Sequence, residues 1–397
     1  MSRWPVLALV TVAHAFGALS VLSVAPLSPF LLDALQLNRA QVGLFLPAVY
    51  LGGVLMSLPA GWLTDRLGVR LTLGGGLLLI GGLVILASSS HGVAELLGAL
   101  VVAGFGFSVL NPSSGKAVVE WFPPRGRGLA MGIKQTGLTL GGLTGALTLP
   151  PLAQALGWRE ALAAAGAGSL VAAVLVLVTY RTPTVPATAA PTSWPRVTEL
   201  RIFMRRPGVI VVFMSGLALS TAQSSVLAYL ALYAKETFAV SAVAAGQILA
   251  LAQLGGTGAR LGWGAVSDRF FGGRRRPGVV ASALLGAAAY ALFALGPALP
   301  AVGIVPLAVL AGAGAFGWVG LYFALVAEIG GARYAGLLTG VAVAFAWSGV
   351  LVGPPLFGLL LGSTGSYAWP WLALAVVAIL VAITLPQLKP LVQREPA

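Results

Sequence analysis

GWLTDRLGVR, residues 61–70, sets an acid (Asp65), two arginines (Arg66 and Arg70) and two glycines between two long apolar runs. Charges held that close to runs long enough to cross a bilayer put a short turn at a membrane surface. The stretch recurs half a chain later. Gly264, Asp268 and Arg269, followed by Gly272 and the arginines 274–276, repeat it at an offset of 203 residues, with one residue inserted after Arg269. The chain is two copies of one unit.

Of the 397 residues, 58% are hydrophobic and only 8% charged, and mean hydropathy is +0.96. A soluble domain carries about a quarter charged residues, so this is a polytopic membrane protein. At roughly 20 apolar residues per helical span there is room for about twelve spans. The 53 glycines fit that setting, because small residues let membrane helices approach closely while the bilayer drives backbone groups into helical hydrogen bonds. There is no cysteine, hence no disulfide and no thiolate site. Arg3, an apolar run and Ala13-His14-Ala15 imitate a cleaved signal peptide. Cleavage is rejected, because that run is needed to give the first half as many spans as the second.

Apolar runs bounded by charges or Gly/Pro clusters predict spans over 5–30, 41–62, 71–90, 93–115, 128–151 and 161–180, then 209–233, 242–266, 278–298, 302–327, 335–361 and 370–388. With both termini in the cytoplasm, eighteen of the 23 basic residues collect on the inner side. Arg39, Arg159 and Lys235 lie outside, and Lys134 and Arg260 lie within spans. This bias follows the positive-inside rule and accounts for the net charge of +13 without nucleic acid.

The repeat extends further. Asp33 to Gly43 matches Glu236 to Gly246 at the offset of 203, with Asn38 and Ser241 as N-cap candidates. Gly104, Gly106, Glu120, Gly128, Gly132 and Gly145 match Gly312, Gly314, Glu328, Gly336, Gly340 and Gly353 at an offset of 208. The expected fold is all-α, with twelve transmembrane helices in two six-helix pseudo-repeat domains, 1–180 and 209–397, joined by a cytoplasmic linker, 181–208. In such parallel repeats the substrate site lies between the halves near the bilayer midplane. The linker begins with a Pro/Thr/Ala-rich flexible stretch. Residues 196–206 then form either a short helix on the inner leaflet or an ordinary basic loop.

Lys134 and Arg260 are the sharpest chemical signal, since an ionisable group inside a span costs several kcal/mol and is kept for function. At about 1.5 Å per residue, Arg260 lies about 12 Å in from Asp268 and Lys134 about 10 Å in from Arg127, so the two share a depth. The alternative is that both snorkel to the inner interface. All ten acids fall at or near span ends, which leaves the two cations uncompensated until an anion arrives. Arginine suits a carboxylate because its planar fork binds bidentately. Asn111, Gln135, Thr136, Gln223, Ser224, Tyr229, Gln253 and Tyr322 are candidates for neutral hydrogen bonds to cargo, or else join helices to one another. His14, the remaining titratable group at mid-depth, either carries a coupling proton or bonds to neighbouring backbone. At the inner ends, Asp65, Arg66, Arg70, Asp268 and Arg269 form a candidate gate. Their natural partners are Glu120 and Glu328, unless all are solvated turn charges that set topology.

The motif Gly61, Asp65, Arg66, Gly68, Arg70 and its second copy resemble the signature loops of the major facilitator superfamily. So do the loop from Trp121 to Gly128 and the run Pro354-Pro355-Leu356-Phe357-Gly358. The resemblance spans essentially the whole chain, with Val69 departing where the family usually has a basic residue. It implies a secondary transporter working by alternating access, with spans five and eight facing each other and span one lining the cavity. The drug-exporter branches carry an arginine early in span four and a Gly-Pro pair in span five, both missing here. Arg260, four residues before Gly264, instead resembles the arginine of the oxalate/formate, nitrate and monocarboxylate carriers.

The resulting expectation is a multi-pass transporter of a small organic or inorganic anion in the cytoplasmic membrane. It is expected to act as a monomer, with no cofactor, no metal and no nucleic-acid partner. The alternative is a proton-coupled exporter of drugs or amphiphiles, whose site would be aromatic and acidic. An enzyme is not expected, because no nucleophile with its base and no metal cluster can be assembled from two histidines and no cysteine.

Overall fold

The computed structural model describes residues 3–123, 127–182, 207–272, 274–300 and 303–388. The described residues are helical throughout, with no strand. The first half contains α1 (Arg3–Leu22), α2 (Val24–Ala34), α3 (Arg39–Val42), α4 (Phe45–Ser88), α5 (Val93–Trp121), α6 (Arg127–Leu156) and α7 (Trp158–Thr179). The second contains α8 (Pro207–Phe238), α9 (Ala242–Phe270), α10 (Arg275–Phe293), α11 (Ile304–Gly317), α12 (Val319–Thr364) and α13 (Ala368–Thr384). Residues 196–206, the candidate surface helix, lie outside the described residues.

Ten stretches among the described residues are long and apolar enough to cross a membrane. Ala368–Thr384 is apolar but only 17 residues long. The 30-residue α6 falls outside both groups and carries Lys134, Gln135 and four threonines. A helix that polar needs a surface other than lipid for its polar groups.

The turn at residues 61–70 is more economical than an open loop. Two helices meet within Phe45–Ser88, separated by a kink at Gly68, whose φ of 75° and ψ of 171° are non-helical. The matching Gly272 also has positive φ, 57°. A side chain rarely adopts that backbone, which is why glycine recurs at both positions. Val69 is buried, so the position where a basic residue is usual in the family here packs into apolar surroundings.

Asn38 and Ser241 both cap as the repeat predicts. Asn38 Oδ1 accepts the Gln41 amide at 2.8 Å and Gln41 Oε1 accepts the Asn38 amide at 2.8 Å, a full capping box. Ser241 Oγ accepts the Ala244 amide at 3.1 Å.

The described residues cluster into two compact units. One is drawn from Met1–Thr188 with Ala228–Ala250, the other from Ala189–Leu227 with Leu251–Ala397. Within the first, a Cβ on Gly52 would collide with Val101 O and one on Gly104 with Val49 O. Within the second, a Cβ on Gly255 would collide with Val309 O and one on Gly312 with Ala252 O. The four positions correspond under the two offsets, so both units lock α4 on α5, or α9 on α11, by the same backbone-to-backbone approach. Polar side chains add interhelical bonds. Ser20 Oγ donates to Ala165 O at 2.6 Å and meets Ser169 Oγ at 2.8 Å, tying α1 to α7.

Candidate functional site

Lys134 sits on α6 and is buried, at 3% exposure. Its ammonium donates one hydrogen bond, 2.8 Å, to Asn111 Oδ1 on α5. Lysine has three donors, and an amide oxygen supplies no negative charge. Among the described residues no carboxylate approaches it. Gln135 beside it and Asn111 are both exposed, while Thr136 is spent on its own helix through Ile133 O. His14, on α1, is fully buried and, among the described residues, neither ring nitrogen has a hydrogen-bond partner. It faces α6 where glycine permits close packing: a Cβ on Gly137 would meet His14 Cβ at 3.1 Å. Lys134, Asn111 and His14 thus form one polar cluster inside the first unit.

In the second unit, Arg260 on α9 is half-buried and donates through Nε to Phe316 O at 3.0 Å. Trp318 Nε1 takes the preceding carbonyl, Ala315 O, at 2.8 Å. The bond through Nε fixes the guanidinium plane, whose opposite edge is the one a carboxylate meets bidentately. Tyr322 is buried in the same unit, its ring edge-on to Trp318 at 5.2 Å. Among the described residues neither its hydroxyl nor the buried Gln223 Oε1 has a hydrogen-bond partner.

Tyr229 is placed elsewhere. Its hydroxyl donates to Arg39 O at 2.7 Å, within a polar knot that the sequence reading did not identify. Lys235 Nζ meets Asp33 Oδ2 at 2.7 Å and Arg39 Nε meets Glu236 Oε2 at 2.9 Å. Asp33 and Glu236 are equivalent positions of the repeat, and each pairs with a cation supplied by the other copy. The signal was present in the matched segments, since Arg39 and Lys235 are two of the three basic residues assigned to the outer side. These contacts explain why residues 228–250 cluster with the first unit.

At the predicted inner ends the partners differ from copy to copy. Arg66 is exposed and lies over the Trp62 ring, 5.2 Å from its centroid. Arg70 donates through Nε to Leu177 O near the end of α7. Glu120 accepts from Tyr180, 3.2 Å away. Glu328 pairs with Arg275 at 3.1 Å, and Arg275 also donates to Ser267 Oγ at 3.2 Å. Arg269 lies beside the Phe270 ring. The side chains of Asp65 and Asp268 lie outside the described ones. Among the described residues no three metal-ligating side chains come together.

A mycobacterial protein described as an uncharacterised MFS-type transporter, from Mycobacterium tuberculosis, is 28% identical over 391 residues, covering 97% of this chain and 84% of its own. The hexuronate transporter of Bacillus subtilis is 26% identical, covering 92% of this chain and 89% of its own. Among solved structures, a bacterial homologue of the human lysosomal transporter Spinster aligns with a TM-score of 0.78 at 18% identity, over 96% of this chain and 95% of that one. Residues 7–354 match the Major Facilitator Superfamily. With that match across most of its length, the chain belongs to the Major Facilitator Superfamily and is a multi-pass membrane transporter.

Proposed function

We propose that this transporter moves a small organic or inorganic anion across the cytoplasmic membrane by alternating access. The observation that carries the reading is Lys134, a buried ammonium whose one hydrogen-bond partner among the described residues is a neutral amide. Breaking an ion pair in the interior costs 3–5 kcal/mol by leaving a charge uncompensated, and an arriving anion recovers part of that order of energy here. Arg260 is the principal ligand for the anion and Lys134 the second cation, with Asn111, Gln135 and Tyr322 supplying neutral contacts. The Bacillus relative is named for hexuronates, so a sugar acid, carboxylate and hydroxyls together, is the first cargo to test. The reading includes twelve spans, counting α6 and Ala368–Thr384. It also includes halves 1–180 and 209–397 joined by 181–208, cytoplasmic termini and a monomeric carrier.

Purified protein heated with a panel of carboxylates and inorganic anions identifies the cargo, because a ligand of the folded state stabilises it by mass action. Arg260→Lys keeps the charge and loses the fork, so affinity falls by about 1.5–3 kcal/mol, roughly ten- to a hundredfold. Lys134→Ala weakens binding less, and the double mutant departs from additivity because both groups grip one ligand. Unchanged affinity in Arg260→Lys, or a preference for cations, refutes the anion reading in favour of a drug exporter. The inner gate follows the same logic: Asp65→Asn and Asp268→Asn slow transport while insertion is unchanged, and wild-type rates in both would remove the gate from the mechanism.

A further inference from the structure

His14 on α1 packs against α6 within one helical turn of Lys134. Gly137, three residues beyond Lys134 on the same side of α6, lets α1 approach; a Cβ there would meet Thr11 O at 2.5 Å as well as His14. The helices packed on α1 are α2, α4, α5, α6 and α7. Their other ionisable residues sit at or near helix ends or at the Gly68 break: Asp33 on α2, the 65–70 cluster on α4, Glu95, Lys116 and Glu120 on α5, Arg127 on α6, and Arg159 and Glu160 on α7. Lys134 is therefore the one neighbouring charge at the depth of His14.

Two positive charges in a water-poor interior repel strongly, so an imidazolium beside a bare ammonium is costly. An anion on Lys134 lifts that cost. We propose that His14 is the proton acceptor that couples transport, one N–H bond forming on its ring as each monovalent anion binds at Lys134 and breaking as the anion leaves. The inference rests on the anion reading above. Charge balances through the cycle. Counting Arg260 with Lys134, the empty site holds two positive charges; the loaded site holds guanidinium, ammonium, anion and imidazolium, again a net charge of two. Loaded and empty carriers then cross with the same charge, and a pH gradient drives accumulation without a membrane potential. Linkage requires that the proton strengthen anion binding by the factor by which the anion strengthens proton binding.

Proteoliposomes containing the pH dye pyranine, with the membrane potential clamped at zero, test this with D-galacturonate and a panel of smaller carboxylates as probes. Wild type acidifies the lumen as the anion enters, with about one proton per monovalent anion. His14→Gln and His14→Asn keep anion-for-anion exchange, which needs no net proton movement and certifies folding. Both lose at least tenfold in protons carried per anion and no longer accumulate the probe under an inward proton gradient. An unchanged proton-to-anion ratio in either variant overturns the proposal. Wild-type uptake without acidification overturns it alone and leaves the anion reading standing, whereas no binding or uptake of any probe anion by wild type overturns both. The wild-type ratio stands without either variant.

Discussion

Gly104 and Gly312 each lie against a carbonyl of the neighbouring helix, Val49 O and Ala252 O, at equivalent places in the two units. In a membrane no hydrophobic force drives helix against helix, so association depends on such close packing. Gly104→Val puts a branched side chain where a single Cβ already collides, and overpacking of this kind costs about 1–3 kcal/mol or more. The thermal midpoint of the purified variant should fall by several degrees. Gly82→Ala is the control: a Cβ there meets nothing within 4 Å, and alanine gains up to about 1 kcal/mol in helix propensity. Equal midpoints for the two variants would show that the glycine contacts do not hold the helices together. At this scale the repeat made the glycines legible, because an unvarying spacing survives only where backbone geometry demands it. The partners of Lys134 and Arg260 were not legible. Asn111 reaches Lys134 from a neighbouring helix, and Arg260 meets a backbone carbonyl, Phe316 O, on another helix, pairings that depend on tertiary packing and not on local sequence.

Between elements, the two copies use related devices. Arg70, at the start of the third predicted span, donates to Leu177 O near the end of α7, and Arg276, two residues beyond the position that matches Arg70 in the second copy, donates to Leu388 O beyond α13 at 2.7 Å. A cation on the orphan carbonyls of a helix C-terminus satisfies groups that have no partner in their own helix. The knot of Asp33, Arg39, Tyr229, Lys235 and Glu236 is different, because it joins one copy to the other. Its ion pairs are partly exposed, with side-chain exposures of 46% and 21% for Arg39–Glu236 and 32% and 64% for Lys235–Asp33. Each is therefore worth at most about 1 kcal/mol. Together they are enough to bias a two-state equilibrium several-fold. If they latch this end of the carrier, Asp33→Asn with Glu236→Gln should populate a longer distance between spin labels on cysteines at positions 34 and 237, which the cysteine-free chain allows. Raising salt should act in the same direction on the unmutated pairs. A distance distribution indifferent to both changes would leave the knot as packing only. The sequence held half of this feature, the equivalence of Asp33 and Glu236, but not the crossing of their partners, because pairing depends on how α3 turns back toward α8.

For the molecule as a whole, composition and the 203-residue repeat were sufficient for an all-helical membrane protein, since a bilayer leaves a chain of this hydropathy few other ways to satisfy its backbone. The break expected between two spans at residues 62–71 falls at Gly68, where two helices meet, and the helix over the expected span 128–151, which carries Lys134, is less apolar than the ten stretches that hydropathy alone marks. Orientation belongs to this scale as well, because it depends on the summed placement of charge rather than on any contact. Eighteen basic residues on one side against three on the other amount to a strong topogenic signal, as arginine and lysine in short loops are retained on the cytoplasmic face. In the proposed orientation Thr182, exposed just beyond α7, lies inside the cell and Ala34, exposed at the end of α2, outside. In intact cells an impermeant maleimide should label Ala34→Cys readily and leave Thr182→Cys unmodified until the membrane is permeabilised. The reverse pattern would invert the carrier, put the Asp33–Lys235 knot on the cytoplasmic face and make the 65–70 turn the outer gate. Labelling of both positions from outside would mean an even number of crossings between them, and with it the loss of the two-times-six arrangement.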